Sequence, residues 1–288
     1  MGVLPNSPER AYVVAATPRS GSTLLCETLR ASGVAGRPEE PFQRLRDSGL
    51  SHQPRDYFRG VDDPELLALL PERRPGAPID ADDARERLTR ALAEDTTANG
   101  VFATKLMWGY LPDFLAGIRA ITGDDGDDLA TLRSAFGRDL RFVQVRRRDK
   151  VAQAVSLWRA IQTQQWRDEG STRPARVPGP DSAFRDAAPT EAEPVYHHGA
   201  IAHLRDLLAA GEAAWTAWFA DHGIAPVRVV VYEQLVPALG PTVRELLGEL
   251  GIDDPPAEGF DRPRMQRQSN GTSAAWRERF LAEEAAGG

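Results

Sequence analysis

The sequence predicts an α/β fold in which a central parallel sheet, opening on a P-loop-like turn, is flanked by helices. Three observations predict it. The run Ala11-Tyr12-Val13-Val14-Ala15-Ala16 is short and apolar throughout, as in a strand covered on both faces. It feeds a glycine-containing turn and then STLLCETLRASG, with apolar residues at helical spacing and Gly33 placed to end the helix. Further strand-like runs recur downstream, separated by helical patterns, the alternation that builds parallel sheets.

After the first strand and helix, strands are predicted over GVFATKLM (100–107), LRFVQVRR (140–147) and VRVVVY (227–232). Helices are predicted from 149 to about 166, from 198 to about 221 and over 241–250, the last with Pro241 in its first turn. Three stretches carry weak pattern: 43–80, the acidic 122–128 and the Pro/Ala/Arg-rich 170–194. They read as surface loops, and 43–80 and 170–194 are expected to frame an acceptor site or a dimer contact. The 288 residues, 41% hydrophobic, are read as one domain, 1–288.

The charge balance, 35 basic against 42 acidic residues for a net −7, opposes general attraction to nucleic acid or to an anionic membrane, so any anion site must be local. No run approaches the roughly 18 apolar residues of a membrane span, and MGVLPNSPER carries no apolar signal core. A cytoplasmic protein is expected. Met1-Gly2 matches a myristoylation signal only by chance, given Pro5 and no basic cluster. The single cysteine, Cys26, excludes an internal disulfide, suits a reducing compartment and reads as a core residue. His197, His198 and His203 lack metal-ligand spacing or a cysteine partner, and no metal site is expected.

The turn ATPRSGST (16–23), laid over G-x-x-x-x-G-K-[ST], keeps Gly21 and Thr23 but has Ala16 at the first glycine and Ser22 where the lysine belongs. A glycine turn at a helix N-terminus still holds an anion through its N–H groups and the helix dipole, and Arg19 brings a cation. Without the lysine that serves a triphosphate, a shorter anion is favoured, a 5′-phosphate or phosphosulfate. Three arginines, 146–148, end the third strand where ligands of open α/β sheets bind, and Ser156 follows two turns into the next helix. In GRPEEPFQ, prolines flank Glu39 and Glu40; a carboxylate near a bound anion is costly unless it works, for instance as a general base.

Together these features resemble a sulfotransferase that uses 3′-phosphoadenosine-5′-phosphosulfate, and most of all the bacterial trehalose 2-sulfotransferase family. The likeness is carried by TPRSGSTLL, RASGVAGRPEEPFQ, KLMW (105–108), RRRDKVAQAVSLWRAIQTQQW, YHHGAIAHL (196–204) and RQSNGTSAAWRERF (267–280). It implies the sulfotransferase fold, a homodimer, no metal, and a sugar hydroxyl as acceptor, trehalose first. By that likeness Arg19, Ser20, Gly21, Ser22 and Thr23 hold the 5′-phosphosulfate and Glu40 is the general base. Arg147 and Ser156 hold the 3′-phosphate, with Arg148 an alternative because the family usually has proline there. Glu39, Phe42, Lys105, Trp108 and His203 are the candidates for the acceptor side. Other readings are the same chemistry on another small alcohol, a P-loop small-molecule kinase, and a nucleotide-binding module without catalysis.

Overall fold

The computed structural model describes residues 8–45, 52–72, 74–123, 126–166, 193–252 and 271–287. In chain order its elements are β1 (Arg10–Ala16), α1 (Ser22–Ala31), α2 (Pro64–Ala68), α3 (Ala81–Asp95), β2 (Val101–Met107), α4 (Leu111–Thr122), α5 (Asp128–Phe136), β3 (Leu140–Arg146), α6 (Lys150–Thr163), α7 (His198–Asp221), β4 (Arg228–Val231), α8 (Tyr232–Leu235), α9 (Leu239–Glu249) and α10 (Gly271–Gly287). The chain divides into two compact units: Met1–Ser51, Pro75–Arg148 and Ala210–Pro263 form one, and His52–Arg74, Asp149–Ala209 and Arg264–Gly288 the other.

The first unit holds a parallel sheet in the order β2-β1-β3-β4. β1 is central, with Val14 opposite Lys105 on one side and Val143 on the other. Beyond Arg10, β1 is buried residue by residue, which is why it reads as an unbroken apolar run; β2 is also buried throughout, Thr104 and Lys105 included. β2 lies on one side of β1 and β3 on the other, so the order reverses at β1, and the crevice beyond the strands' C-terminal ends is where such sheets bind ligands. Phe42, Phe114 and Phe136 fill the core, the Phe42 ring centre 4.7 Å from Phe114 and 5.7 Å from Phe136.

Helix starts are capped by aspartates: Asp80 bonds the N–H groups of Asp82 and Asp83 at α3, and Asp127 that of Ala130 at α5. In the second unit Asp63 caps α2 and Asp149 caps α6. Its core joins Phe58, Trp158, Ile161, Ile201, Leu204 and Phe280. α10 is tied down by Arg277 to Asp149 at 2.7 Å and by Glu284 to Arg205 at 2.8 Å.

All four expected strands are present with ends within a residue or so of the predicted ones, and the 198–221 helix matches end for end. The 149–166 helix stops at Thr163, where Gln164 turns left-handed at φ 57°. The stretch 43–80 carries elements that its weak pattern did not give: a 3-10 helix, Pro54–Phe58, and α2. One-turn elements show no period, and caps at Gln53 and Asp63 define them instead. Of the 170–194 segment, residues up to 192 lie outside the described residues, as do the first four of the 267–280 motif. Among the described residues, no helix is long and apolar enough to cross a membrane.

Candidate functional site

The turn after β1 is bent by two left-handed residues, Arg19 at φ 61° and Gly21 at φ 92°. Gly21 is required twice over. Its φ is one that L side chains avoid, and a Cβ there would lie 2.4 Å from Cδ2 of Tyr232. α1 begins immediately after Gly21 with no side-chain cap and no acidic residue in its first turn, in contrast to the aspartate-capped α3 and α5. Its first N–H groups and the positive end of its dipole therefore face the turn. Ser20 is fully buried, yet its Oγ has no hydrogen-bond partner among the described residues. A buried hydroxyl left unpaired costs about 1–3 kcal/mol, and an anion in the turn would satisfy it. The donor set suits a phosphate-like anion.

The three arginines at the end of β3 diverge. Arg146 bonds Thr216 of α7. Arg147 turns to the loop: its Nη1 donates to the carbonyl of Arg19 at 3.2 Å, and its guanidinium lies 4.5 Å from the ring centre of Tyr232. The backbone N–H of Arg148 donates to Glu233 at 3.1 Å. Tyr232 thus touches both the glycine of the turn and the arginine beside it.

Glu39 and Glu40 reach the same crevice because the 34–40 segment is laid along β2. Gly36 permits this: a Cβ there would come within 2.7 Å of the Ala103 backbone nitrogen, at φ 68°. Tyr12 donates to the Ala35 carbonyl at 2.6 Å, and the Lys105 N–H donates to the Glu39 carbonyl at 2.8 Å. The side chains then part. Glu39 pairs with Arg30 of α1 at 2.7 Å, whereas Glu40 pairs with Lys105 Nζ at 2.9 Å and accepts from the Tyr110 hydroxyl at 3.1 Å. Lys105, 3% exposed, also donates to Thr23 Oγ1 at 3.3 Å. One ammonium therefore joins Glu40 to the anion loop. Cys26 lies on α1 among these charges; burial pushes its thiol up to about 12, against the opposing pull of Lys105.

Arg19, Ser20, Gly21, Ser22, Thr23, Glu40, Lys105 and Arg147 are thus brought together in the first unit. Phe42 is not: it is fully buried against Phe114 and Phe136. Trp108 packs edge-on to Trp215, ring centres 5.3 Å apart, and faces Gly211 of α7. Ser156 and His203 lie in the second unit, Ser156 on α6 and His203 on α7. His203 Nε2 bonds the Tyr57 carbonyl at 2.8 Å, and its ring stacks on Phe58. Sequence reasoning missed Tyr110 and Tyr232. Each follows the C-terminal end of a strand, β2 or β4, where ligands of open sheets bind, and that position was the available signal.

A family model described as Stf0 sulphotransferase matches residues 11–283. The chain is 40% identical over 275 residues to a trehalose 2-sulfotransferase of Mycobacterium tuberculosis, covering 95% of each. It is 37% identical over 276 residues to one of Mycolicibacterium smegmatis, covering 94% of each. A crystal structure of a sulfotransferase from Alicyclobacillus acidocaldarius aligns with a TM-score of 0.44 at 13% identity, over 96% of this chain and 92% of that one. With the family model spanning nearly all of the chain and two full-length relatives above 30% identity, the protein belongs to the Stf0 sulphotransferase family.

Proposed function

We propose that the protein transfers a sulfuryl group from 3′-phosphoadenosine-5′-phosphosulfate to a carbohydrate hydroxyl, with trehalose as the first acceptor, and that it works as a cytoplasmic homodimer. One observation carries the donor assignment: the buried Ser20 hydroxyl, without a partner among the described residues, in a turn that opens a helix with no side-chain cap. The turn's N–H groups, Ser22, Thr23 and Arg19 would hold the 5′-phosphosulfate, and Arg147 the 3′-phosphate. Family membership supports sulfuryl transfer, and the two relatives' names support trehalose.

Glu40 is the general base in this reading. It takes the acceptor's hydroxyl proton as the acceptor oxygen bonds to sulfur. The bond from sulfur to the bridging phosphate oxygen breaks in line, and its electron pair stays with the nucleotide. Donors aimed at charge that grows in the transition state lower the barrier, by about 2.7–4 kcal/mol for a single one in well-studied cases. The donor half is tested by melting the protein with adenosine 3′,5′-bisphosphate and no Mg²⁺. Stabilisation that disappears in Arg19→Ala supports it; equal melting with and without the bisphosphate sinks it.

A further inference from the structure

The loop has serine where a P-loop has lysine, yet a lysine does reach it. Lys105 comes from β2, not from the turn, and its Nζ lies 3.3 Å from Thr23 Oγ1 and 2.9 Å from Glu40 Oε2. Its residue is 3% exposed in the middle of a wholly buried strand. A charge so placed needs a partner, and Glu40 is one. The pair, held by the Tyr110 hydroxyl on the other carboxylate oxygen, places a cation and a candidate base on one side of the anion loop.

We infer that Lys105 is a second cation at the loop, beside Arg19, masked by Glu40 at rest and unmasked when Glu40 takes the acceptor's proton. The inference rests on the sulfotransferase reading and adds a role to it. At rest the pair is neutral, so it adds little to the hold on a dianion and does not repel it. As the acceptor O–H bond breaks, the proton moves to Glu40 and the carboxylate charge is lost. The acceptor oxygen bonds to sulfur, the sulfur to bridging-oxygen bond breaks, and the electron pair stays on the nucleotide phosphate. Lys105 keeps its proton and is left as a net positive charge beside Thr23 while negative charge builds on the transferring group and the departing phosphate. The base thereby switches on an electrostatic stabiliser at the moment it is needed, which is transition-state binding without equal ground-state binding.

The test is the affinity for adenosine 3′,5′-bisphosphate, measured calorimetrically without Mg²⁺ in wild type, Glu40→Gln, and the double variant Glu40→Gln with Lys105→Met. Glu40→Gln unmasks Lys105 permanently and is expected to bind roughly three- to tenfold tighter than wild type, the order of one partly screened ion pair. The double variant leaves no lone buried charge and keeps the side-chain volume, and it is expected to lose that gain. Equal affinity in Glu40→Gln and the double variant makes Lys105 a structural partner of Glu40 only and overturns the inference. If the double variant does not fold, Glu40→Gln against wild type still decides, since no gain there also overturns it. Turnover gives a second readout. Lys105→Arg, which keeps the charge, is expected to retain more than a tenth of kcat, with Lys105→Met falling roughly 10²- to 10³-fold at little changed donor KM. Equal kcat in the two contradicts a role for the charge. Wild-type protein that does not bind the bisphosphate removes the functional reading and the inference together; wild-type binding with the first pattern absent removes the inference alone.

Discussion

Glu39 and Glu40 are neighbours in the chain but are committed to different cations, Glu39 to Arg30 at 2.7 Å and Glu40 to Lys105 at 2.9 Å. The second lies against the anion loop, through the bond from Lys105 to Thr23. The two carboxylates therefore have unequal parts. Glu40→Gln is expected to lower turnover by roughly two to four orders of magnitude while the donor still binds. Glu39→Gln is expected to stay within about threefold, since it loses an ion pair at the edge of the site. Steady-state sulfuryl transfer by both variants checks this; the reverse ranking would hand the role of base to Glu39.

Ser20 gives a test that separates the empty loop from the loaded one. Its buried Oγ has no partner among the described residues, so Ser20→Ala removes an unsatisfied group. Without ligand the variant is expected to melt at or above the wild-type temperature, the hydroxyl having cost about 1–3 kcal/mol. With adenosine 3′,5′-bisphosphate it is expected to gain less than wild type. Differential scanning calorimetry reads both. A variant that melts lower than wild type without ligand, and is stabilised as much with it, contradicts an anion role for Ser20.

Gly21 combines a left-handed backbone with contact from Tyr232, and the two constraints can be told apart. Gly21→Ala is expected to cost about 1–2 kcal/mol from its φ alone, with more from the ring. Adding Tyr232→Ala relieves the ring contact and is expected to recover stability only in part. Loss of bisphosphate binding should accompany Gly21→Ala. Denaturant unfolding of the single and double variants measures the split, and full recovery in the double would show that the backbone conformation is not limiting.

How much of this was legible depended on whether a signal was local. The β1-turn-α1 unit could be read because a strand buried on both faces is a continuous apolar run and the turn needs its glycine. Phe42 was expected at the acceptor side from the family resemblance of GRPEEPFQ, but its ring belongs to the Phe114 and Phe136 core. Sequence adjacency does not give side-chain direction in an irregular segment. Lys105 was singled out, but not its bridge from Glu40 to Thr23, which comes from the pairing of β2 with β1 and the laying of 34–40 along β2. The contact of Tyr232 with Gly21 spans more than 200 residues of chain and leaves no trace in local pattern.

Cys26 is 4% exposed, and burial, opposed by Lys105, pushes its thiol up to about 12. A thiol in the unfolded chain ionises near 8.5, so the fold favours the protonated form. Its contribution to stability is complete below about pH 8.5 and is lost as pH rises towards 12. At pH 8 native protein is expected to resist iodoacetamide for hours and the unfolded protein to be alkylated in minutes, as mass spectrometry would show. Rapid native labelling would mean that the helix carrying Cys26 opens readily.

The most direct measurement is transfer of labelled sulfate from 3′-phosphoadenosine-5′-phosphosulfate to trehalose, beside a panel of other sugars and alcohols, by wild type and Glu40→Gln. The expected result is a sulfated trehalose formed by wild type, with at least a hundredfold less from the variant. Product on no acceptor, from protein that binds adenosine 3′,5′-bisphosphate, or undiminished product from Glu40→Gln, would contradict the proposed chemistry.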